Sequence, residues 1–155
     1  MKRVSVLLLG AVLLTTAVSA QVTDEALTKN RAFTGAIATK KSYHAIYQLD
    51  NNDPKIIEKA LRNINNALND PRLAGKIQIE LIAFGGGTDA YLKGSKYEND
   101  LKVLIGKGVI LSQCNNTLKE RKIDRNQIYD FLAVVPSGNG ELIIRQAEGW
   151  SIIKP

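Results

Sequence analysis

Apolar and polar positions alternate along this chain in two rhythms. From Tyr43 to Leu49 the residues Tyr-His-Ala-Ile-Tyr-Gln-Leu are rich in strand formers, and Asp50-Asn51-Asn52-Asp53-Pro54 is turn and helix-start chemistry. Asp53 carries the short acceptor side chain of an N-cap, and Pro54 has the fixed φ that suits a first helical position. In the helix that follows, Ile56, Ile57, Ala60, Leu61, Ile64 and Leu68 fall on one face, while Lys55, Glu58, Lys59, Arg62, Asn63 and Asn66 fill the other. Asp70-Pro71 ends it. The run Lys76 to Phe84 alternates at first and then becomes wholly apolar, which predicts a second strand whose later part is buried on both faces.

Gly85-Gly86-Gly87 closes that strand, and residues 87–96 read as a loop. Tyr97, Leu101, Leu104 and Ile105 then recur at helical spacing up to Gly106 and Gly108. Val109 to Cys114 is a third strand that runs straight into helix-forming residues. The helix is expected to start at Asn115, Asn116 or Thr117, and Thr117 with Glu120 fits a capping box. Residues 123–130 form a short helical or looped connection. Phe131 to Val135 reads as a fourth buried strand, residues 140–148 as a short helix and residues 150–153 as a last strand. Strands alternating with helices, and too apolar to face water, predict a mostly parallel five-stranded sheet covered on both sides, a three-layer α/β sandwich.

The N-terminus follows a different pattern. Met1-Lys2-Arg3 is basic, Val4 to Leu14 is apolar, and Thr15 to Ala20 ends in small residues. This is the order of a secretory signal with cleavage after Ala20, and the apolar run is shorter than the roughly 18 residues that a membrane-spanning helix needs. A soluble periplasmic or secreted protein starting at Gln21 is the expectation. Residues 21–42 have no clear period and read as a poorly ordered leader or short docking segment, leaving residues 43–155 as the single domain.

Export changes the reading of Cys114, the only cysteine. Extracellular proteins use disulfides, yet one cysteine cannot form an internal bridge. The thiol is therefore reactive, paired with another molecule, or buried and inert. On local sequence alone packing is favoured, because free cysteine is among the most buried residue types. A position between strand and helix points the other way, since N–H groups at a helix start favour the thiolate, which is the nucleophile. Parallel α/β sheets place ligands beyond the C-terminal ends of their strands. Cys114 lies at such an end, and this shifts the balance toward a reactive thiol.

Other candidate chemistry is weaker. Gly85-Gly86-Gly87-Thr88-Asp89 lacks the ending of a phosphate-binding loop and reads as a close-approach turn beside Cys114. His44 is the only histidine and stands near the start of the first strand, so it is a poor partner for the thiol, and no metal site is expected. Nothing supplies a base for Ser137. Asp50 to Asp53 is better explained by capping than by cation binding, and the Asn115-Asn116-Thr117 sequon sits in too tight a turn to project a glycan. Removing Lys2 and Arg3 from the 21 basic residues leaves 19 against 15 acidic ones, scattered rather than set in a stripe, so nucleic-acid binding is not expected.

Three segments carry a resemblance: Cys114-Asn115-Asn116-Thr117-Leu118, Val134-Val135-Pro136-Ser137-Gly138, and Glu141 with Arg145-Gln146-Ala147-Glu148-Gly149-Trp150 and Lys154-Pro155. Together they resemble the DsrE family of sulfur-relay-like proteins, over about Tyr43 to Pro155, and in particular its exported single-domain members. The resemblance implies homo-oligomers, often trimers or hexamers, and a cysteine after the third strand that carries sulfur as a persulfide, the position Cys114 occupies. The sulfur-relay members are cytoplasmic and work with dedicated partner subunits, whereas this chain begins with a signal pattern. The expected function is sulfur handling outside the cytoplasm. Cys114 would be the nucleophile, Asn116 and Thr117 would supply N–H groups, and Asn115, Gly86 and Ser137 would line the pocket. Sulfur donor and acceptor proteins or small persulfides would be the partners, with no cofactor. A non-catalytic oligomeric binding module with a structural Cys114 is the alternative, and a thiol forming mixed disulfides is a third reading. For relay chemistry Cys114 is expected to be at least partly exposed, at the N-terminal end of a helix, and full burial would count against catalysis.

Overall fold

The computed structural model describes residues 22–155. The expected export signal lies outside the described residues. The chain divides after Ala36 into two units. Within the first, the segment expected to be an irregular leader contains a helix, α1 (Asp24–Arg31). Thr23 caps it by accepting the Ala26 N–H. Asp24 and Glu25 in the first turn and Lys29 and Arg31 in the last complement the backbone dipole. No residue of α1 is buried, so this is a helix made by caps and charges rather than by an apolar stripe, which is why periodicity does not reveal it.

The second unit is the α/β domain. Its elements are β1 (Tyr43–Leu49), α2 (Pro54–Asn69), β2 (Ile77–Ala83), α3 (Glu98–Gly106), β3 (Ile110–Cys114), α4 (Asn115–Glu120), β4 (Ala133–Val135), α5 (Gly138–Ala147) and β5 (Ser151–Ile153). All strand pairs are parallel and the sheet order is β4-β3-β2-β1-β5. The turn after β1 is built as expected, with the Asp53 side chain accepting the Lys55 N–H and Pro54 opening the helix.

The two faces of the sheet bury unequal cores. On one face Leu49, Leu81 and Leu111 meet Ile57, Ala60 and Ile64 of α2, with Leu101 and Leu104 of α3. On the other, Ile46 and Ile82 meet Leu142 of α5 and Trp150, with Phe84 and Val135 packed alongside. The first core holds most of the buried apolar surface, at about 25 cal/mol per Å2 removed from water.

Two sequence expectations need correction here. The fourth strand is shorter and less buried than its apolar run implies: it covers only Ala133–Val135, and Ala133 and Val134 are exposed. The reason is position, since β4 is an edge strand, and Phe131 leaves the sheet to stack on Tyr129 at 5.0 Å. The first part of the segment read as a loop, residues 87–96, belongs to a 3-10 helix (Gly85–Tyr91), in which Thr88, Ala90 and Tyr91 are buried. Tyr91 holds it to the sheet by donating its hydroxyl to the Leu81 carbonyl at 2.8 Å. Glycine is required within it: a Cβ at Gly87 would lie 2.0 Å from the Leu49 carbonyl oxygen. The triple-glycine segment is thus a close-approach turn, but the backbone it approaches is the end of β1.

Candidate functional site

Cys114 is the last residue of β3 and the N-cap of α4, with β-region backbone (φ −70°, ψ 119°). Its sulfur takes the place of the oxygen that usually caps a helix. The Thr117 N–H donates to Sγ at 3.5 Å. The helix therefore starts at Asn115, and Thr117 is its third residue rather than the start of a Thr117–Glu120 capping box. Burial pushes the Cys114 thiol up. Against this act the N–H groups of Thr117 and Gly138, the Thr117 hydroxyl and the Asn116 N–H, and the balance leaves the thiol below its ordinary value.

Gly138 is the contributor that sequence reading missed. It is the first residue of α5, so the starts of two helices act together to lower the thiol's pKa. A Cβ at Gly138 would lie 2.8 Å from the Phe84 ring. Only a residue without a side chain lets the start of α5 come this close to the sheet. The Pro136-Ser137-Gly138 turn held that signal, but it reads as a strand terminator until the topology sets it beside β3.

The remaining expected site residues divide. Thr117 and Asn116 are brought to the sulfur through their N–H groups. Ser137 caps α5 by accepting the Gly140 N–H at 3.2 Å, so it serves the site by fixing the helix that presents Gly138. Asn115 lines a separate surface cavity with Leu118, Lys119 and Val134. Gly86 packs against the backbone of Asp50 and Asn52 at the end of β1. The expectation of partial exposure fails: Cys114 is 5% exposed and is buried.

Two polar networks brace the site. The first ties α4 to the glycine turn. The Gly85 N–H donates to the Thr117 hydroxyl at 3.1 Å, and Arg121 donates to the Gly85 carbonyl at 2.8 Å and to Asp89 at 2.6 Å. Asn52 reaches the other Asp89 oxygen at 3.2 Å. Gln113, fully buried, donates its amide to the Thr88 hydroxyl at 3.0 Å and to the Cys114 carbonyl at 2.9 Å. The second network lies on the same face of β3 as Cys114. Ser112, two residues before it, donates to Glu80 at 2.6 Å, and Arg145 of α5 donates to the other Glu80 oxygen at 2.8 Å. Glu80 is 1% exposed; burial raises its pKa, with the Glu141 charge adding to this, while Ser112 and Arg145 oppose it. Arg145 also pairs with Glu141 at 3.0 Å and stacks 4.2 Å over Trp150. A glutamate set between Ile79, Leu81 and Ile82 is the available signal for this network.

Among the described residues no three His, Cys, Asp or Glu side chains cluster as metal ligands, and no helix is long and apolar enough to cross a membrane. His44 packs its ring 5.1 Å from Trp150, near the start of β1 and thus toward the edge of the sheet opposite Cys114.

Three comparisons place the chain among known proteins. In sequence, the DsrE/DsrF-like family profile matches residues 42–155. A search of curated proteins finds no match. Among solved structures, a protein of unknown function from Methanobacterium thermoautotrophicum is 30% identical, with a TM-score of 0.69 over 74% of this chain and 100% of its own. A conserved protein of unknown function from Bacteroides thetaiotaomicron (11% identity, TM-score 0.57, 78% of this chain and 100% of its own) shares the fold. So does the ychN protein from E. coli (15% identity, TM-score 0.55, 75% and 100%). With most of its length matched by the profile, the chain belongs to the DsrE/DsrF-like family.

Proposed function

We propose that this protein carries sulfane sulfur as a persulfide on Cys114, taking it from one thiol compound and passing it to another. The observation that carries the reading is the Thr117 N–H donated to Cys114 Sγ at 3.5 Å at the C-terminal edge of the sheet, with the starts of α4 and α5 lowering the thiol's pKa despite its burial. The first step is attack of the Cys114 thiolate on the outer sulfur of a donor persulfide or polysulfide. A new S–S bond forms at Sγ, the donor's S–S bond breaks, and the donor leaves as a thiolate. In the second step an acceptor thiolate attacks the outer sulfur and Cys114 leaves as the thiolate that the same N–H groups stabilise. Sulfur moves without net oxidation, so no redox cofactor takes part.

The setting proposed is the periplasm or the extracellular space, on the strength of the Met1–Ala20 pattern. Donor and acceptor are proteins or small persulfides. The working form proposed is a homo-oligomer, a trimer or hexamer. Ile143 and Ile144 of α5 are 68% and 55% exposed, and Val134 on the edge strand is 38% exposed, an apolar display that a second copy would cover.

The burial of Cys114 favours a second reading, a binding module in which the thiol only packs. A transfer assay separates the two. The protein is incubated with polysulfide, freed of excess reagent and mixed with a thiol acceptor, beside a Cys114→Ser control. Sulfur appearing on the acceptor only with the wild type supports the carrier. No transfer, together with a Cys114 that resists thiol reagents until the protein is unfolded, leaves the packing role.

A further inference from the structure

Toward the edge of the sheet opposite Cys114, β1 extends past its neighbour. The ladder with β5 begins at Ala45 opposite Ser151, so Tyr43 and His44 have no β5 partner. Beside this overhang lies a cavity of about 240 Å3. Ala45, Ala67, Leu73, Ile77 and Ile153 form its apolar wall. Its polar positions are Lys40, Ser42, Tyr43, His44, Tyr47 and Ser151, and no Asp or Glu lines it. The cavity is therefore half apolar, rich in donors and free of carboxylates, a lining suited to an acceptor rather than to a cation.

Tyr47 makes the case specific. It is 4% exposed, yet its hydroxyl makes no hydrogen bond to any described residue. Among the described residues the fully enclosed, unpartnered side-chain atoms are the Tyr97 hydroxyl and a Gln113 oxygen; the Tyr47 oxygen is not one of them and keeps accessible surface, in a side chain that lines the cavity. The neighbouring Tyr43 hydroxyl already accepts the Lys40 N–H at 3.0 Å. Burial raises the Tyr47 pKa, so the hydroxyl keeps its proton and remains a donor. Lys40 and Ser42 are exposed, which sets positive charge at the mouth and the buried Ala45 and Tyr47 at the floor.

We propose that this cavity binds a short-chain organic carboxylate, its hydrocarbon body against Ala45, Ala67 and Ile77, with an oxygen accepting from Tyr47. The volume falls just under the roughly 300–1,000 Å3 of drug-sized pockets, which limits the ligand to a small molecule such as hexanoate. The site is separate from Cys114, and its occupancy does not depend on sulfur chemistry.

The test is a titration of the intact 15N-labelled protein with hexanoate, and in parallel with hexan-1-ol, followed by amide shifts. Saturable shifts at Tyr43–Tyr47 and Ser151–Ile153, tighter for hexanoate, are expected. Tyr47→Phe keeps the shape and removes the donor, and should weaken hexanoate by about 2- to 12-fold, the value of one hydrogen bond. Ala67→Phe fills the void and should abolish the shifts while the rest of the spectrum keeps its dispersion. Absence of saturable shifts, equal affinity in Tyr47→Phe, or hexan-1-ol binding as tightly as hexanoate overturns the proposal.

Discussion

Thr117 donates its backbone N–H to the sulfur of Cys114 at 3.5 Å, three residues back along the chain, while its hydroxyl accepts the Gly85 N–H at 3.1 Å. One threonine thus acidifies the thiol and ties the glycine turn to α4. Thr117→Val removes the hydroxyl and keeps the N–H, so the thiol pKa should rise part of the way back toward that of a free cysteine, whereas Thr117→Ser should restore it. The pH midpoint of iodoacetamide alkylation checks this, and an unmoved midpoint in Thr117→Val would show that the hydroxyl has no part in it.

Because the folded thiol is more acidic than the unfolded one, the folded state binds fewer protons between the two values. Stability from this source is fully present above the unfolded pKa and is lost as pH falls through the folded one. Thermal melts of wild type and Cys114→Ser should therefore diverge as pH rises across that window, with the wild type gaining. Parallel melting curves would contradict the lowered pKa.

Glu80 has the opposite sign. Its folded pKa is raised, chiefly by burial, so its contribution is fully present below the unfolded carboxylate value and is lost as pH rises through the folded one. Arg145→Met leaves the buried carboxylate without its cation and should cost about 3–5 kcal/mol at neutral pH. Much of that should return in the Glu80→Gln/Arg145→Met double variant. Urea unfolding measures both, and purely additive losses would mean that the pair is not coupled.

Gly87 and Gly138 separate two kinds of close approach. A Cβ at Gly87 meets the Leu49 carbonyl at 2.0 Å, whereas one at Gly138 meets the Phe84 side chain at 2.8 Å. Backbone cannot swing away and a ring can shift, so Gly87→Ala should fail to fold or lose more than about 4 kcal/mol, while Gly138→Ala should lose about 1–3 kcal/mol. Gly138→Ala should also raise the thiol pKa by pushing the start of α5 outward. Retention of the wild-type alkylation profile in Gly138→Ala would remove α5 from the site.

The exposed α5 face carries the oligomer proposal. Ile144→Asp should shift sedimentation from a trimer or hexamer toward the monomer. A wild-type monomer at micromolar concentration would refute it.

What the sequence disclosed follows from what kind of signal each feature has. The α2 stripe, the Asp53-Pro54 start and the apolar strands are local patterns, and all five strands and the parallel sheet were legible from them. Position in the sheet is not local: Val134 has the same composition whether central or at an edge, so the exposure of β4 could not be read. Within the site, Cys114 and the N–H groups of Asn116 and Thr117 were legible because they are consecutive. Gly138, Arg121 and the Glu80–Arg145 pair come from separate elements and meet only after folding. Which neighbouring strand a turn leans on is likewise not local: Gly86 lies against the backbone at the end of β1.

The central claim is that Cys114 holds transferable sulfur, and intact mass after polysulfide treatment tests it most directly. The account predicts a gain of one sulfur atom on the wild type that dithiothreitol removes and that Cys114→Ser never acquires. An unchanged wild-type mass under conditions that persulfidate a small thiol would contradict it.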